Sequence, residues 1–149
     1  MAAPVKTPTV KNITSNKLYP AYKSQKGIVI QLNSAKTVLP SGTALAALVK
    51  FADGCGLKKV IISGGAETTG HSAGSYHGKD LAIDVAGKRF NKLTDEKARV
   101  AALNAGFTHG VYEDFKGTSR DHWHFQIGAG NGLSDQHKLS NKPLTAKHY

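Results

Sequence analysis

Residues 121–126, with the sequence DHWHFQ, hold two of the chain's seven histidines only one residue apart. In an extended strand, successive side chains point to opposite faces. Trp123 and Phe125 would therefore share one face of a strand, and His122 and His124 would share the other. An apolar face of this kind packs into a core, so the histidine face is left to a polar environment, where imidazoles bind metals or transfer protons.

The same arrangement recurs in residues 81–86, with the sequence LAIDVA. In a strand, the leucine, isoleucine and valine share one face, and Asp84 lies on the other face between two alanines. If this strand lies beside residues 122–127, Asp84 and His124 converge. His77 precedes Asp84 by seven residues, on the segment that enters the same strand.

His77, Asp84 and His124 are therefore predicted to hold a metal ion. Two imidazoles and one carboxylate, with a fourth position open to water, are typical of a catalytic zinc site. The same ligands hold Fe(II) in oxygenases. A closed structural zinc site usually includes several thiolates, and this chain has one cysteine, Cys55, so a closed site is disfavoured. A single cysteine also excludes an intramolecular disulfide. Taken singly, His77 is more simply an exposed loop residue and Asp84 a turn or cap residue. Because alternation places Asp84 and His124 on the polar faces of their strands, the interpretation of all three residues as one metal site is favoured.

The other histidines have no such neighbours in the sequence. They are interpreted as ordinary residues without a functional role: His71, His109, His137 and His148.

The elements that position these residues follow from hydrophobic periodicity. Apolar spacing, an N-terminal cap at Thr94 and closing glycines predict helices over 41–54 and 94–106. Short apolar and β-branched runs predict strands, at residues 27–32, 58–63, 81–86, 107–113 and 122–127. Strands mixed with helices, without a regular βαβ alternation, favour an α+β fold, a mostly antiparallel sheet with two or more helices on one face.

The length of 149 residues indicates a single domain, 1–149. Residues 1–24 lack periodicity and are predicted to form a loosely packed N-terminal arm, and residues 130–149 a polar C-terminal tail. No apolar run reaches the ~20 residues of a membrane span. The N-terminus also lacks the apolar segment of a secretory signal. We therefore expect synthesis in the cytoplasm and no insertion into a membrane.

The formal net charge is +10 at neutral pH, which favours contact with anionic polymers, including those of a bacterial cell envelope. The positive charge is mostly lysine, with three arginines at positions 89, 99 and 120. Base readout and bidentate phosphate contacts favour arginine, so specific nucleic-acid recognition is disfavoured. The charge also has a simpler interpretation, since it keeps a protein soluble.

Two segments carry a family resemblance. SYHGKDLAID (75–84) resembles the Ser-x-His-x-x-Gly-x-Ala-x-Asp motif of the zinc D-alanyl-D-alanine peptidases, which share a hedgehog-type fold with lysostaphin-like enzymes. The matching residues are Ser75, His77, Ala82 and Asp84. Asp80 stands where the motif has glycine. DHWH (121–124) resembles the closing motif, an acidic residue three positions before the last zinc histidine.

A third segment departs from the family pattern. IISGGAETT resembles the strand and loop before the first ligand, where many members have Ser-Gly-Tyr-Arg. Gly65 and Ala66 replace the Tyr-Arg pair, so the family's arginine is missing from this chain.

The resemblance implies one Zn²⁺ held by His77, Asp84 and His124, with Asp121 as general base. By strand alternation, Asp121 lies on the Trp123 face, so it can serve only if the strand begins or bulges between residues 121 and 122. In lysostaphin-like relatives the first histidine of His-x-His is catalytic. His122 is therefore expected to stabilise an oxyanion or to act as the acid or base.

Two further residues are candidates for contacts with substrate. Ser75 matches the motif, and Tyr112 lies near the site in the sequence YED, although an exposed acidic turn is the simpler interpretation of that sequence.

Three functions compete. The first is a zinc peptidase, endopeptidase or D,D-carboxypeptidase, that cleaves stem or cross-bridge peptides of bacterial peptidoglycan, as a phage lysis enzyme or a virion component. The second is a non-catalytic, zinc-containing module that recognises the cell wall. The third is a metal-dependent nuclease, which the scarcity of carboxylates disfavours.

Overall fold

The computed structural model describes residues 9–15, 19–68, 71, 74–116 and 118–149. These residues form one eight-stranded sheet and two α-helices. The strands are β1 (Val10–Asn12), β2 (Ala21–Ser24), β3 (Val29–Leu32), β4 (Lys59–Gly64), β5 (Ala82–Ala86), β6 (His109–Asp114), β7 (His122–Gln126) and β8 (Ala146–His148). The helices are α1 (Thr43–Gly54) and α2 (Asp95–Ala105). Among the described helices, none is both long and apolar enough to span a membrane.

The predicted α+β class is confirmed, and the sheet is mixed. Its strand order is β1-β2-β3-β4-β5-β7-β6-β8. β3 pairs with β4 in parallel, and β6 with β8 in parallel, whereas the other neighbouring pairs are antiparallel. β5 and β7, which carry the predicted ligands, are therefore neighbours near the middle of the sheet.

Each helix and strand that the sequence predicts is present, with ends shifted by at most two residues. Three strands are not predicted from the sequence, namely β1, β2 and β8. β1 and β2 fall in the segment interpreted as an arm, of which residues 1–8 and 16–18 lie outside the described residues. β8 falls in the segment interpreted as a tail. β1 and β8 are short, polar edge strands, which lack the apolar alternation that identifies a half-buried strand.

The apolar face of the sheet forms the core together with both helices. Ile83 and Val85 of β5 lie opposite Phe125 and Trp123 of β7, and all four side chains are buried. The Phe51 ring of α1 packs against that of Phe125, with centroids 5.4 Å apart. Burial of each such side chain contributes about 1.5–3 kcal/mol. The packing leaves the opposite face of β5 and β7 to polar side chains.

The core also fixes α2. Its small-residue stripe is buried, comprising Ala98, Ala101, Ala102 and Ala105. Thr94 caps the helix by accepting a hydrogen bond from the Lys97 amide at 3.1 Å. The Trp123 indole donates to the Asp95 carboxylate at 3.0 Å, which ties α2 to β7.

The β6–β7 register depends on a glycine in β6. A Cβ on Gly110 would lie 2.5 Å from Phe125 Cδ1 and 2.9 Å from the His124 carbonyl oxygen. We therefore expect Gly110→Ala to lower the free energy of unfolding by about 1–3 kcal/mol, measured by urea denaturation. Gly54→Ala is the control, because its Cβ would meet only an ordinary contact, at 3.6 Å from Ala101. Equal midpoints for wild type and Gly110→Ala would contradict this packing.

Candidate metal centre

Two elements bring the predicted ligands together. Asp84 of β5 pairs directly with His124 of β7 in antiparallel register, so both side chains lie on the polar face of the sheet. His77 enters on a 3₁₀ turn, Tyr76–Lys79, directly before β5. The Ser75 hydroxyl starts this turn by accepting a hydrogen bond from the His77 amide at 3.2 Å. This arrangement agrees with the prediction from the sequence that these three residues converge.

The donor atoms of the three side chains lie close together. Asp84 Oδ1 is 3.2 Å from His77 Nε2 and 2.9 Å from His124 Nδ1. One ligand atom from each residue lies within 4.8 Å of the others. Zn²⁺ binds such atoms at about 2.0–2.2 Å, so atoms grouped this closely can share one ion.

Each histidine uses its second nitrogen to hold its ring in place. His77 Nδ1 donates to the Gly65 carbonyl oxygen at 2.8 Å, which leaves Nε2 facing Asp84. His124 Nε2 donates to Gln126 Oε1 at 2.8 Å, which leaves Nδ1 facing Asp84. Metal-ligating histidines almost always donate their other ring N–H to such an acceptor.

The orientation of the Gln126 amide is itself fixed. Its nitrogen donates to the carbonyl oxygens of Gly128 and Gly130, at 2.8 and 3.0 Å, so Oε1 must be the atom that accepts from His124. Gln126 is fully buried. No sequence motif identifies Gln126, although strand alternation places it on the same face as His124.

Asp84 and the histidines around it shift one another's pKa values. Burial alone would raise the pKa of Asp84, but the charge of His122 in its protonated form and the hydrogen bonds from His124 and His77 outweigh this effect and hold that pKa well below its usual value. Burial alone would lower the pKa of His124, but the hydrogen bond and charge of Asp84 raise it. Without a metal, the pair therefore favours an imidazolium beside a carboxylate.

One backbone position beside β5 makes room for this centre. A Cβ on Gly64 would lie 2.5 Å from Asp84 Oδ2, so β4 needs glycine there. Asp80, which replaces the glycine of the resembled motif, has the left-handed φ of 58° that glycine favours and aspartate tolerates. Its carboxylate lies against Gly42 at the start of α1.

The three donors lie at the wall of a cavity of about 300 Å³. The other lining residues are His71, Ser75, Glu113, Phe115, His122, Asn131, Leu133 and Lys147. His122 Nδ1 donates to the Arg120 carbonyl at 2.9 Å. His122 Nε2 lies 3.7 Å from Asp84 Oδ1 and 3.7 Å from Glu113 Oε2.

Asp121, expected as the general base, has a different environment. Its Oδ1 accepts a hydrogen bond from the Phe115 amide at 2.6 Å, and its carbonyl accepts from Gly87 at 2.8 Å. β7 begins at His122, which is one of the two conditions under which Asp121 could reach the donors, whereas its pairing with β5 runs without a bulge. Among the described residues that line the cavity, the acidic residue besides Asp84 is Glu113, and Asp121 is not included.

Tyr112, expected to contact substrate, lies on the apolar face of the sheet. It pairs with Trp123 and packs edge-on against its ring, with centroids 4.9 Å apart. Its hydroxyl accepts from the Lys88 amide at 3.2 Å. The interpretation of residues 112–114 as an exposed acidic turn is also wrong, because all three belong to β6. Strand alternation turns Glu113, not Tyr112, toward the cavity.

His71 lines the cavity, although the sequence analysis gives it no role. Its ring stacks on that of His77, with centroids 3.8 Å apart, and its Nε2 donates to the Glu67 carboxylate. Glu67 is buried and also accepts from the amides of Val38 and Gly65, at 2.9 and 2.8 Å. Glu67, His71 and His77 form a second group with metal-ligand spacing. Backbone amides already occupy the Glu67 oxygens, so the group with Asp84 is the better metal site.

Comparison with protein-family models, curated proteins and solved structures finds no match to this chain.

We expect the protein to bind one zinc ion, measured by isothermal titration calorimetry. His124→Ala should weaken binding by more than roughly 100-fold, because second-sphere partners alone are worth about 10- to 100-fold. His148→Ala is the matched control, since His148 is exposed and pairs with Asp114 on β6. Equal weakening by both substitutions, or none by His124→Ala, would exclude this centre.

Zinc binding should release a proton from His124. The raised pKa means that His124 is protonated to a higher pH than an ordinary imidazole, and a metal ligand must be deprotonated. Apparent affinity should therefore fall as the pH drops below this pKa. Calorimetry near pH 7, above the ordinary histidine pKa of about 6.5, in buffers of different ionisation enthalpy, should show proton release, because an imidazole of ordinary pKa would already be mostly neutral there. Zinc uptake without proton release at that pH would contradict the raised pKa.

Proposed function

We propose that this protein is a zinc-dependent peptidase that hydrolyses peptide bonds of bacterial peptidoglycan. This proposal is supported by the group of His77, Asp84 and His124, which lies at the wall of a cavity. The same cavity is lined by an imidazole and a carboxylate outside that group, those of His122 and Glu113. A structural metal needs no such additional groups. A metal with an open side toward a cavity is the arrangement of a catalytic site.

The donor set fits zinc. Two nitrogens and one carboxylate oxygen are common zinc ligands, and both rings are held by hydrogen bonds from their outer nitrogens. Fe(II) accepts the same ligands. The choice of zinc rests on the resemblance of SYHGKDLAID and DHWH to the zinc D-alanyl-D-alanine peptidases, and the same resemblance leads us to infer a hedgehog-type fold. When bound, zinc polarises a carbonyl and lowers the pKa of a water molecule.

His122 is the residue best arranged to accept a proton from the attacking water. Its Nδ1–H donates to the Arg120 carbonyl, so Nε2 of the neutral ring carries the lone pair. Glu113 Oε2, 3.7 Å from Nε2, would stabilise the imidazolium that forms. His122 would then return the proton to the leaving amine. Asp121 is the base that the resemblance implies, but its carboxylate is engaged with the Phe115 amide.

The substrate class follows from the resemblance and from charge. The net charge of +10 favours approach to an envelope that carries anionic polymers. Cleavage of stem or cross-bridge peptides would suit a phage lysis or virion-associated enzyme.

A zinc-containing module that only recognises the cell wall is the second candidate. It is favoured by the environment of Asp121, because an acidic residue hydrogen-bonded to the backbone is poorly placed to act as a base. The same test separates the two candidates.

The zinc-loaded protein should clear a suspension of purified peptidoglycan, with loss on chelation and recovery when zinc is restored. New amino termini, identified by mass spectrometry, should name the bond. His122→Ala should lower the rate by about 10²–10⁴-fold, the usual contribution of a general acid or base. Glu113→Gln should have a smaller effect, and His148→Ala none.

Asp121→Asn distinguishes the two candidate bases. A loss in Asp121→Asn as large as that expected for His122→Ala, with His122→Ala nearly unaffected, would move the base to Asp121. Zinc binding without clearing and without new amino termini would favour the recognition module.

A further inference from the structure

Lys147 occupies the cavity although no motif includes it. β8 pairs in parallel with β6, and Lys147 lies in register with Glu113. Strand alternation turns Lys147 toward the polar face of the sheet, and it lines the cavity with the metal donors. Among the described lining residues, it is the only lysine or arginine. From the sequence, Lys147 is predicted to lie in the polar tail of residues 130–149.

The segment that carries Lys147 is held firmly against β6. The carbonyl of Thr145 accepts from the Tyr112 amide at 2.9 Å, and the Tyr149 amide donates to the Asp114 carbonyl at 2.9 Å. The Tyr149 ring stacks on that of Phe115, with centroids 4.6 Å apart. Lys147 therefore has a defined position in the wall of the cavity.

The ammonium group of Lys147 forms no ion pair with any carboxylate in the described part of the chain. Glu113, its neighbour in register, directs Oε2 to within 3.7 Å of His122 Nε2 instead. Three other lysines do have such a partner: Lys88 lies 3.1 Å from Asp95, Lys26 lies 3.4 Å from Asp53, and Lys138 lies 3.7 Å from Asp135. Lys147 thus lines the cavity while its charge takes part in no ion pair with the described residues.

We infer that Lys147 forms a carboxylate-binding subsite, which selects peptides with a free carboxylate close to the scissile bond. This inference rests on the proposed function, because the metal donors define where that bond lies. A volume of about 300 Å³ is at the lower end for ligand pockets, so the cavity admits only the residues adjoining the bond. An ammonium in its wall would meet a carboxylate on one of those residues.

The group that Lys147 would bind is a carboxylate, and a stem peptide carries carboxylates at two kinds of position. One is the carboxyl group of D-glutamate inside the chain, and the other is the carboxyl group at the C-terminus. A hydrogen bond to a charged group contributes about 1.5–3 kcal/mol, or roughly 10- to 100-fold in kcat/KM. Part of this preference should disappear at high salt, because the cavity is open to solvent.

The test compares synthetic stem peptides with the zinc-loaded protein. One peptide has both carboxylates free, a second has the glutamate carboxyl amidated, and a third has the C-terminus amidated. For wild type, kcat/KM for the free-acid peptide should exceed that for one of the two amidated peptides by roughly 10-fold or more. The position of that amide identifies the carboxylate that Lys147 binds. Lys147→Met should lose this preference, because its kcat/KM for the free acid should fall to its value for the amide. Lys147→Arg should keep part of it, and Lys36→Met, an exposed loop control, should keep all of it.

A binding measurement separates failure of this inference from failure of the proposed function. Titration of the metal-free protein with the free-acid peptide should shift the amide resonances of residues 145–149 in wild type but not in Lys147→Met. Equal cleavage of all three peptides by wild type, or a preference that survives Lys147→Met, would overturn the subsite. If no peptide is cleaved, the proposed function fails, and the titration alone decides whether Lys147 binds a carboxylate.

Discussion

The structure depends on the antiparallel pairing of Asp84 with His124 in the middle of the sheet. Because side chains alternate along a strand, the same register that joins these two residues also stacks Ile83 against Phe125 in the core. A slip of one residue would move Trp123 and Phe125 into the cavity and the histidines into the core. The hydrophobic effect that closes the core therefore also aligns the donors.

Burial of these charged groups has a cost that the hydrogen bonds of the centre offset. Asp84 is buried, and a lone buried carboxylate would be strongly unfavourable. It is surrounded by the imidazoles of His77 and His124, each anchored by an acceptor on its far side. Such a fully bonded network stabilises one arrangement of the rings. The arrangement that best satisfies Asp84 without a metal is also the one that presents two ring nitrogens and an oxygen to a metal.

Strand alternation alone predicts a large part of this site from the sequence. It identifies the apolar and polar faces of β5 and β7. It does not fix the direction of the Asp121 side chain, because β7 begins at His122. The same rule, applied to β6, would have turned Glu113 rather than Tyr112 toward the cavity. The residues at the cavity's edge follow from contacts between distant segments, which no local pattern records. His71 is held there by Glu67, and Lys147 by the pairing of β8 with β6.

The most direct test of the metal centre is X-ray absorption spectroscopy of the zinc-loaded wild-type protein at the zinc K-edge. The account predicts one zinc per chain, with two imidazole nitrogens and oxygen donors at about 2.0–2.2 Å and no sulfur. Cys55 is buried in the core, and burial raises the pKa of its thiol to about 11, so it is unsuited to bind the ion. A sulfur shell near ~2.3 Å, or a shell without imidazole, would contradict the assignment of His77, Asp84 and His124 as the metal ligands.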